Sequence, residues 1–380
     1  MEISLLTTTQ LISLRAVTLH RVSVPLIEPF RISNGAVVEK DVIVVQLTTD
    51  KGITGWGEAS PMTGTFYSSD TPQSAWQDLE TLIPRIFSAS SLDVTTFHRE
   101  LRSVPGNAFA KAGIEGALWD AYAQTVGAPL CELFGGRARP IPSGVAIGIY
   151  DQVEELLDRV ERYTAEGYQR VKVKIAPGWD LEPVAAVRYR FPNIALMVDA
   201  NAAYTFADID VFRELDGFEL MMIEQPFARE AHDEAAELQE KLRTPICADE
   251  SAESVEALHS LIQKRAARII NIKVQRVGGL SEAREMFKTA CQAGLECWVG
   301  TMPELGIASA QGLHFATLDG FAYPTDIEAS ARWYVDDLVE PPIEIDSQGL
   351  IHVPSGPGMG YRVNPEKLER YSVAAKSFNA

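Results

Sequence analysis

The run VKVK over residues 171–174 places Lys172 and Lys174 two apart in a β-branched stretch. Strand side chains alternate between faces, so both ammonium groups point the same way. Three further apolar runs each finish on a carboxylate. LMVDAN reaches Asp199 and Asn201, MMIEQP reaches Glu224, and PICADES reaches Asp249 and Glu250. A fourth run, IINIKVQ, reaches Lys273. On neighbouring strands, about 4.8 Å apart, the three carboxylates would converge on one point. Buried carboxylates repel one another unless a cation joins them. An all-oxygen ligand set without His or Cys suits a hard cation, Mg²⁺ first and Mn²⁺ as the alternative. A substrate carboxylate bound there would hold its α-carbon between Lys174 and Lys273. One lysine could then remove the α-proton from one face while the other serves the opposite face. A free lysine, with a pKa of about 10.4, is a poor base at neutral pH. Lys172, the divalent cation and burial would all disfavour its protonated form. Lys172 is therefore expected to lower the pKa of Lys174 and to help hold the substrate carboxylate.

Such a site requires parallel strands that deliver their carboxyl ends to one place. Apolar strand cores begin near Val145, Val171, Ala195, Leu220, Ile246, Ile269, Glu296 and Phe321. They recur about every 25 residues, which marks one supersecondary unit used repeatedly. Helical windows such as QVEELLDRVERYTAEG and LSEAREMFKTACQAG lie between them. The pattern predicts a modified TIM barrel, (β/α)7β, whose chemistry lies at the carboxyl ends of its strands. The seventh strand, ECWVGTMPE, ends near Glu304, and the eighth reaches Asp326 and Glu328. Ahead of the barrel, residues 12–60 read as an antiparallel meander and 75–135 as helical. AKAGIEGALWDAYAQTVG forms a close-packing small-residue helix within the latter. The expected organisation is an α+β capping domain over 1–138, joined by a tail over 342–380, and a catalytic barrel over 139–341.

The chain has 380 residues, a formal net charge of −18 and 46% hydrophobic content. The negative charge argues against nucleic acid as a partner. The apolar runs are too short to span a membrane. The start MEISLLTTTQLISLR has no cationic region before its apolar part, which argues against a signal peptide. Cys131, Cys247, Cys291 and Cys297 form no CxxC pair and read as reduced thiols of a cytoplasmic protein.

Together, Lys172-Val-Lys174, Asp199-Ala-Asn201, Glu224-Gln225-Pro226, Ala248-Asp249-Glu250-Ser251 and Lys273 resemble the motifs of the enolase superfamily, specifically its muconate lactonizing enzyme subgroup. The resemblance covers nearly the whole chain. It implies Asp199, Glu224 and Asp249 as metal ligands, Lys174 and Lys273 as the acid/base pair, a small-molecule carboxylate substrate and a homo-oligomer. No histidine occupies the late strand ends, so the His-based mandelate racemase branch fits poorly. The tail is similar to that of the o-succinylbenzoate synthase and N-acylamino acid racemase group, although Pro303 and Leu305 depart from its pattern. In this family cap loops close over the site. Here they are expected at 26–35 and 59–69, with Phe30, Met62, Phe66 and Tyr67 as an apolar wall. Asp326-Ile-Glu328 resembles the ammonium-holding motif of dipeptide epimerases. The expected activity is Mg²⁺-dependent abstraction of an α-proton through an enolate, as in the racemase and synthase group. Dipeptide epimerisation, muconate cycloisomerisation and a non-catalytic binding role are the alternatives.

Overall fold

A computed structural model describes residues 11–65, 67–87 and 93–380. Residues 1–10, on which the reading against a signal peptide partly rests, and Phe66 lie outside the described residues. Among the described residues no helix is long and apolar enough to cross a membrane.

The meander is present as β1 (Leu14–Ile32), β2 (Gly35–Thr49) and β3 (Thr54–Ala59), paired antiparallel in that order. Residues 26–35 differ from expectation: they are mostly strand rather than loop. After a register shift beyond Pro25, Phe30 pairs with Val37 and Ile32 with Gly35. The reason lies in the sequence, because Asn34-Gly35 between apolar alternations is a hairpin signal. Four helices follow: α1 (Pro72–Phe87), α2 (Val94–Ser103), α3 (Ala108–Val126) and α4 (Leu130–Phe134). Small residues let α3 lie almost on top of β3. A Cβ on Gly57 would fall 1.9 Å from the carbonyl oxygen of Gly113, and one on Gly55 would fall 2.1 Å from that of Ala117. No other residue type fits at these two positions.

β4 (Pro140–Pro142) leads into seven parallel strands in unpermuted order: β5 (Val145–Ile147), β6 (Val171–Lys174), β7 (Leu196–Asp199), β8 (Ile223–Glu224), β9 (Ile246–Ala248), β10 (Ile269–Ile272) and β11 (Glu296–Val299). Between and after them run α5 (Val153–Glu166), α6 (Leu181–Arg190), α7 (Ile209–Leu215), α8 (His232–Lys241), α9 (Val255–Lys264), α10 (Val274–Val277), α11 (Leu280–Gln292) and α12 (Gly306–Phe315). The eighth segment forms no ladder. It closes the ring through isolated parallel bridges, Phe321 to Cys297 on one side and Thr325 to Ser143 on the other. The tail carries β12 (Val339–Glu340), β13 (Leu350–His352), β14 (Arg362–Val363) and β15 (Ser372–Asn379). β13 pairs with β4, and β15 adds to the cap sheet beside β1.

His314 joins three parts of this structure. From α12, its Nδ1 accepts the backbone N–H of Cys131 in α4 at 3.1 Å, and its Nε2 donates to the carbonyl of Met359 at 3.0 Å. The neutral Nε2–H tautomer satisfies both bonds, and a proton on Nδ1 would break the first. Burial pushes the imidazole down to about 4. A lowered histidine pKa means that the unfolded chain binds the proton first as pH falls. This contribution is therefore intact above about pH 6.5 and is lost progressively toward pH 4, by about 3 kcal/mol. We expect the Tm advantage of wild type over His314→Gln to shrink between pH 7.5 and pH 4.5. An advantage that stays constant would show that His314 does not titrate in this way.

Candidate active site

The ladder registers bring the reactive groups together. Lys174 of β6 pairs with Asp199 of β7, and Asp199 pairs with Glu224 of β8. Glu224 is in register with Cys247 of β9, so Asp249, two residues on, returns to the same face. Asn271 on β10 and Lys273 just beyond it repeat this alternation. Across the sheet the order is lysine, aspartate, glutamate, aspartate, lysine. One oxygen each from Asp199, Glu224 and Asp249 lies within 4.8 Å of the other two, and all three residues are buried.

A backbone feature and a side-chain clamp secure the strand ends. Asn201, Ala202 and Gln225 adopt left-handed conformations with φ of 42°, 60° and 39°. Such strain persists where the surroundings impose it. Gln225 then ties the ends of β8 and β9 together. Its Oε1 accepts the N–H of Asp249 at 2.9 Å and of Ser251 at 3.1 Å, and its Nε2 donates to the carbonyl of Phe227 and the hydroxyl of Ser251.

The ionic contacts are dense. Lys174 Nζ donates to Asp199 at 2.5 Å, and Lys273 Nζ to Asp249 at 2.8 Å. Arg276 also grips Asp249, and it donates to the carbonyl of Asn271 at 2.7 Å. Asn271 Nδ2 donates to Glu224 Oε1 at 2.6 Å. Asn201 Nδ2 donates to Glu250 at 3.2 Å. Among the described residues Glu224 Oε2 accepts no hydrogen bond. The ammonium of Lys172 stands 3.3 Å from it without the alignment of one. A buried carboxylate oxygen that accepts no hydrogen bond and lies near two other carboxylates fits a hard cation.

The electrostatics follow from this crowding. Burial and the neighbouring Asp199 push Glu224 up to about 8, with Lys172 opposing. Burial would raise Asp249 too, but Lys273 and Arg276 together hold it well below the usual carboxylate range. Burial would lower Lys273, yet Asp249 and the Tyr67 phenol overcome it and hold the ammonium well above its usual value. Lys172 behaves likewise, its burial outweighed by Asp326 and Glu224. The sequence reading has Lys172 act on Lys174 and on the substrate carboxylate. The structure pairs Lys172 with Asp326, which also accepts from Arg170 at 2.6 Å. Much of the Lys172 charge is thus neutralised locally.

A cavity of about 40 Å³ opens above these groups. Lys172, Lys174, Lys273, Asn201, Asp326, Glu328, Phe30, Met62 and Tyr67 all line it. Glu304 does not; it lines an adjoining cavity with Ser309 and Tyr334. Tyr67 differs from its expected apolar role. Its hydroxyl lies 3.2 Å from Lys273 Nζ and 3.4 Å from Asp249 Oδ2. Phe30 packs edge-on against Trp333, ring centres 4.8 Å apart, and both line the cavity. Sequence reasoning missed Arg276, Asn271, Arg170 and Trp333. Asn271 and Arg170 each lie two residues before a lysine already singled out, so the period of a strand could have found them. Nothing in the sequence marks Trp333.

Residues 14–135 match the model of the mandelate racemase / muconate lactonizing enzyme N-terminal domain, and residues 155–367 match the enolase C-terminal domain-like model. The chain belongs to the mandelate racemase / muconate lactonizing enzyme family. Within it, the chain is 41% identical to an o-succinylbenzoate synthase from Geobacillus kaustophilus over 369 residues, covering 97% of this chain and 98% of that one. It is 39% identical to an N-succinylamino acid racemase from Amycolatopsis over 363 residues, covering 95% of this chain and 98% of that one. A crystal structure of an enolase superfamily member from Listeria innocua superposes with a TM-score of 0.92 at 34% identity, covering 97% and 99% of the two chains. Members of this superfamily bind Mg²⁺, and the buried triad offers the oxygens for a metal.

Proposed function

We propose that the protein abstracts and returns the proton α to the carboxylate of N-acylamino acids, as a racemase, and shares with its synthase relatives the dehydration that starts from the same enolate. One observation carries the proposal: Lys174 and Lys273 reach a single cavity from opposite sides of three converging carboxylates. In this reading Asp199, Glu224 and Asp249 hold Mg²⁺, with Mn²⁺ as the alternative. When bound, the cation supplies the positive charge that makes a carboxylate α-proton acidic enough to remove. Lys174 and Lys273 take and return the proton on opposite faces. The carboxylates that keep Lys273 protonated are the ones a cation would neutralise, so the loaded site favours its free amine. Lys172 steadies the substrate carboxylate. Asn201 and Glu328 border the substrate, and Phe30, Met62, Tyr67 and Trp333 cover it.

The surroundings of Asp326 favour an acyl substrate over a dipeptide. Its carboxylate already serves Arg170 and Lys172, which leaves little charge for a substrate ammonium. Phe30, Met62 and Trp333 line the same cavity, a wall suited to an apolar acyl chain. The proposal includes the division into a cap over 1–138 with tail 342–380 and a barrel over 139–341, supported by the pairing of β15 with β1. It also includes a cytoplasmic location, supported by four free thiols, and a homo-oligomer, which rests on the family resemblance alone.

The test is α-proton exchange in D₂O, followed by NMR, on both enantiomers of N-succinyl and N-acetyl amino acids. Loss of the α-proton signal from both enantiomers is expected. Exchange confined to dipeptides with a free ammonium would replace this reading, and no exchange with any carboxylate would leave the non-catalytic one.

A further inference from the structure

Lys40 lies on β2 of the cap, outside the catalytic cavity, and is almost wholly buried at 1% exposure. A buried ammonium is costly unless each of its protons finds an acceptor. Lys40 Nζ donates to the backbone carbonyls of Ser60 at 3.1 Å, Pro61 at 3.0 Å and Met302 at 3.2 Å. Its three donors therefore meet three acceptors. Two of these carbonyls immediately precede Met62, and the third belongs to the barrel loop after β11. Met62 and Met302 both line the substrate cavity.

The counter-charges come from the same junction. Burial pushes the ammonium down to about 8, and Glu58, Glu304 and Asp41 oppose it, so that Lys40 keeps its proton at neutral pH. Glu58, on β3 of the cap, also accepts the N–H of Leu305 at 2.9 Å and of Ala308 at 3.0 Å, at the start of barrel helix α12. Glu304 Oε1 accepts the N–H of Met302 at 3.2 Å. Both walls of the lid are thus fixed through their backbones to one buried cation.

We propose that Lys40 is a positioning residue for substrate specificity: it pins the cap segment before Met62 to the barrel loop at Met302 and so sets the width of the acyl side of the cavity. The inference rests on the N-acylamino acid reading above. It predicts a selective effect, because Lys40 touches neither the lysine pair nor the metal carboxylates. Replacing a charged donor that satisfies three buried carbonyls leaves all three unpaired, and the loop must open to water to satisfy them.

The test compares wild type, Lys40→Met and Lys40→Arg on N-acetyl, N-succinyl and N-benzoyl amino acids, with amide hydrogen exchange measured on the ligand-free proteins. For Lys40→Met we expect KM to rise about tenfold or more, unequally across the three acyl groups, with kcat changed by less than about threefold. Residues 58–64 and 300–306 should lose protection while the β1–β2 hairpin keeps it. Lys40→Arg, which keeps the charge, should recover part of both effects. Unchanged protection and an unchanged KM pattern would overturn the proposal, as would equal losses of kcat on every substrate. If Lys40→Met does not fold, Lys40→Arg and Glu304→Gln carry the same comparison, and wild-type KM patterns in both would overturn it. Wild-type inactivity on all three substrates would instead refute the N-acylamino acid reading, while the exchange data still decide whether Lys40 pins the two segments.

Discussion

Lys174→Arg and Lys273→Arg should each lose racemisation by about 10³-fold or more while retaining the fold. Arginine keeps the positive charge, so the pairs with Asp199 and Asp249 can persist, but the guanidinium stays protonated and cannot act as a base. Racemisation needs both lysines, because the proton leaves one face and returns on the other. Exchange with solvent on one enantiomer needs only the lysine on that face. Each variant should therefore exchange the α-proton of one enantiomer in D₂O and not the other, with opposite preferences in the two variants. NMR of each enantiomer in D₂O reads this directly. Near wild-type racemisation in either variant would make that lysine structural. Lys172→Met should differ in kind, raising KM, since Lys172 is held by Asp326 and Glu224 and does not flank the lysine pair's proton path.

The sequence disclosed the site better than its surroundings, for a physical reason. A buried strand that ends on a charge is conspicuous, because burial of an unpaired charge is so unfavourable. Asp199, Glu224, Asp249, Lys174 and Lys273 were legible in this way, and β5, β6, β9, β10 and β11 begin where their apolar cores do. The eighth segment was visible as an apolar run near Phe321, but its pairing as isolated bridges was not, since periodicity does not report ladder length. Partnerships were harder still. Asp326 carries no mark in the sequence that assigns it to Arg170 and Lys172 rather than to a substrate ammonium. That depends on the eighth segment lying beside β5, one strand away from β6, once the ring closes. Lys40 and Glu58 carry no mark in the sequence either, and their bonds to Met302, Leu305 and Ala308 form only where cap meets barrel.

Removing the divalent cation should abolish activity, and its rebinding should release protons in a pH-dependent way that identifies their source. Glu224 is pushed up to about 8 by burial and by Asp199. At pH 7 the cation-free site therefore holds a proton there nearly all the time, and the cation must displace it. Mg²⁺ affinity should fall by close to tenfold for each pH unit below about 8, and nearly one proton should be released per ion at pH 7. Titration calorimetry in two buffers of different ionisation enthalpy counts that proton. Lys273 provides a contrast. Its ammonium is held protonated by Asp249, so any proton that it gives up on metal binding should be released more readily as pH rises. A count that declines above pH 8 therefore points to Glu224, and one that grows points to the lysine. Glu224→Gln should remove the declining component and weaken Mg²⁺ binding by about 10²-fold or more, because a neutral amide oxygen replaces an anionic ligand. A binding enthalpy independent of buffer would mean that Glu224 is ionised before the cation arrives. Repulsion among the three carboxylates would then be relieved by Lys172, Lys174, Lys273 and Arg276, and the Glu224 oxygen without a hydrogen bond would lose its meaning as a metal ligand.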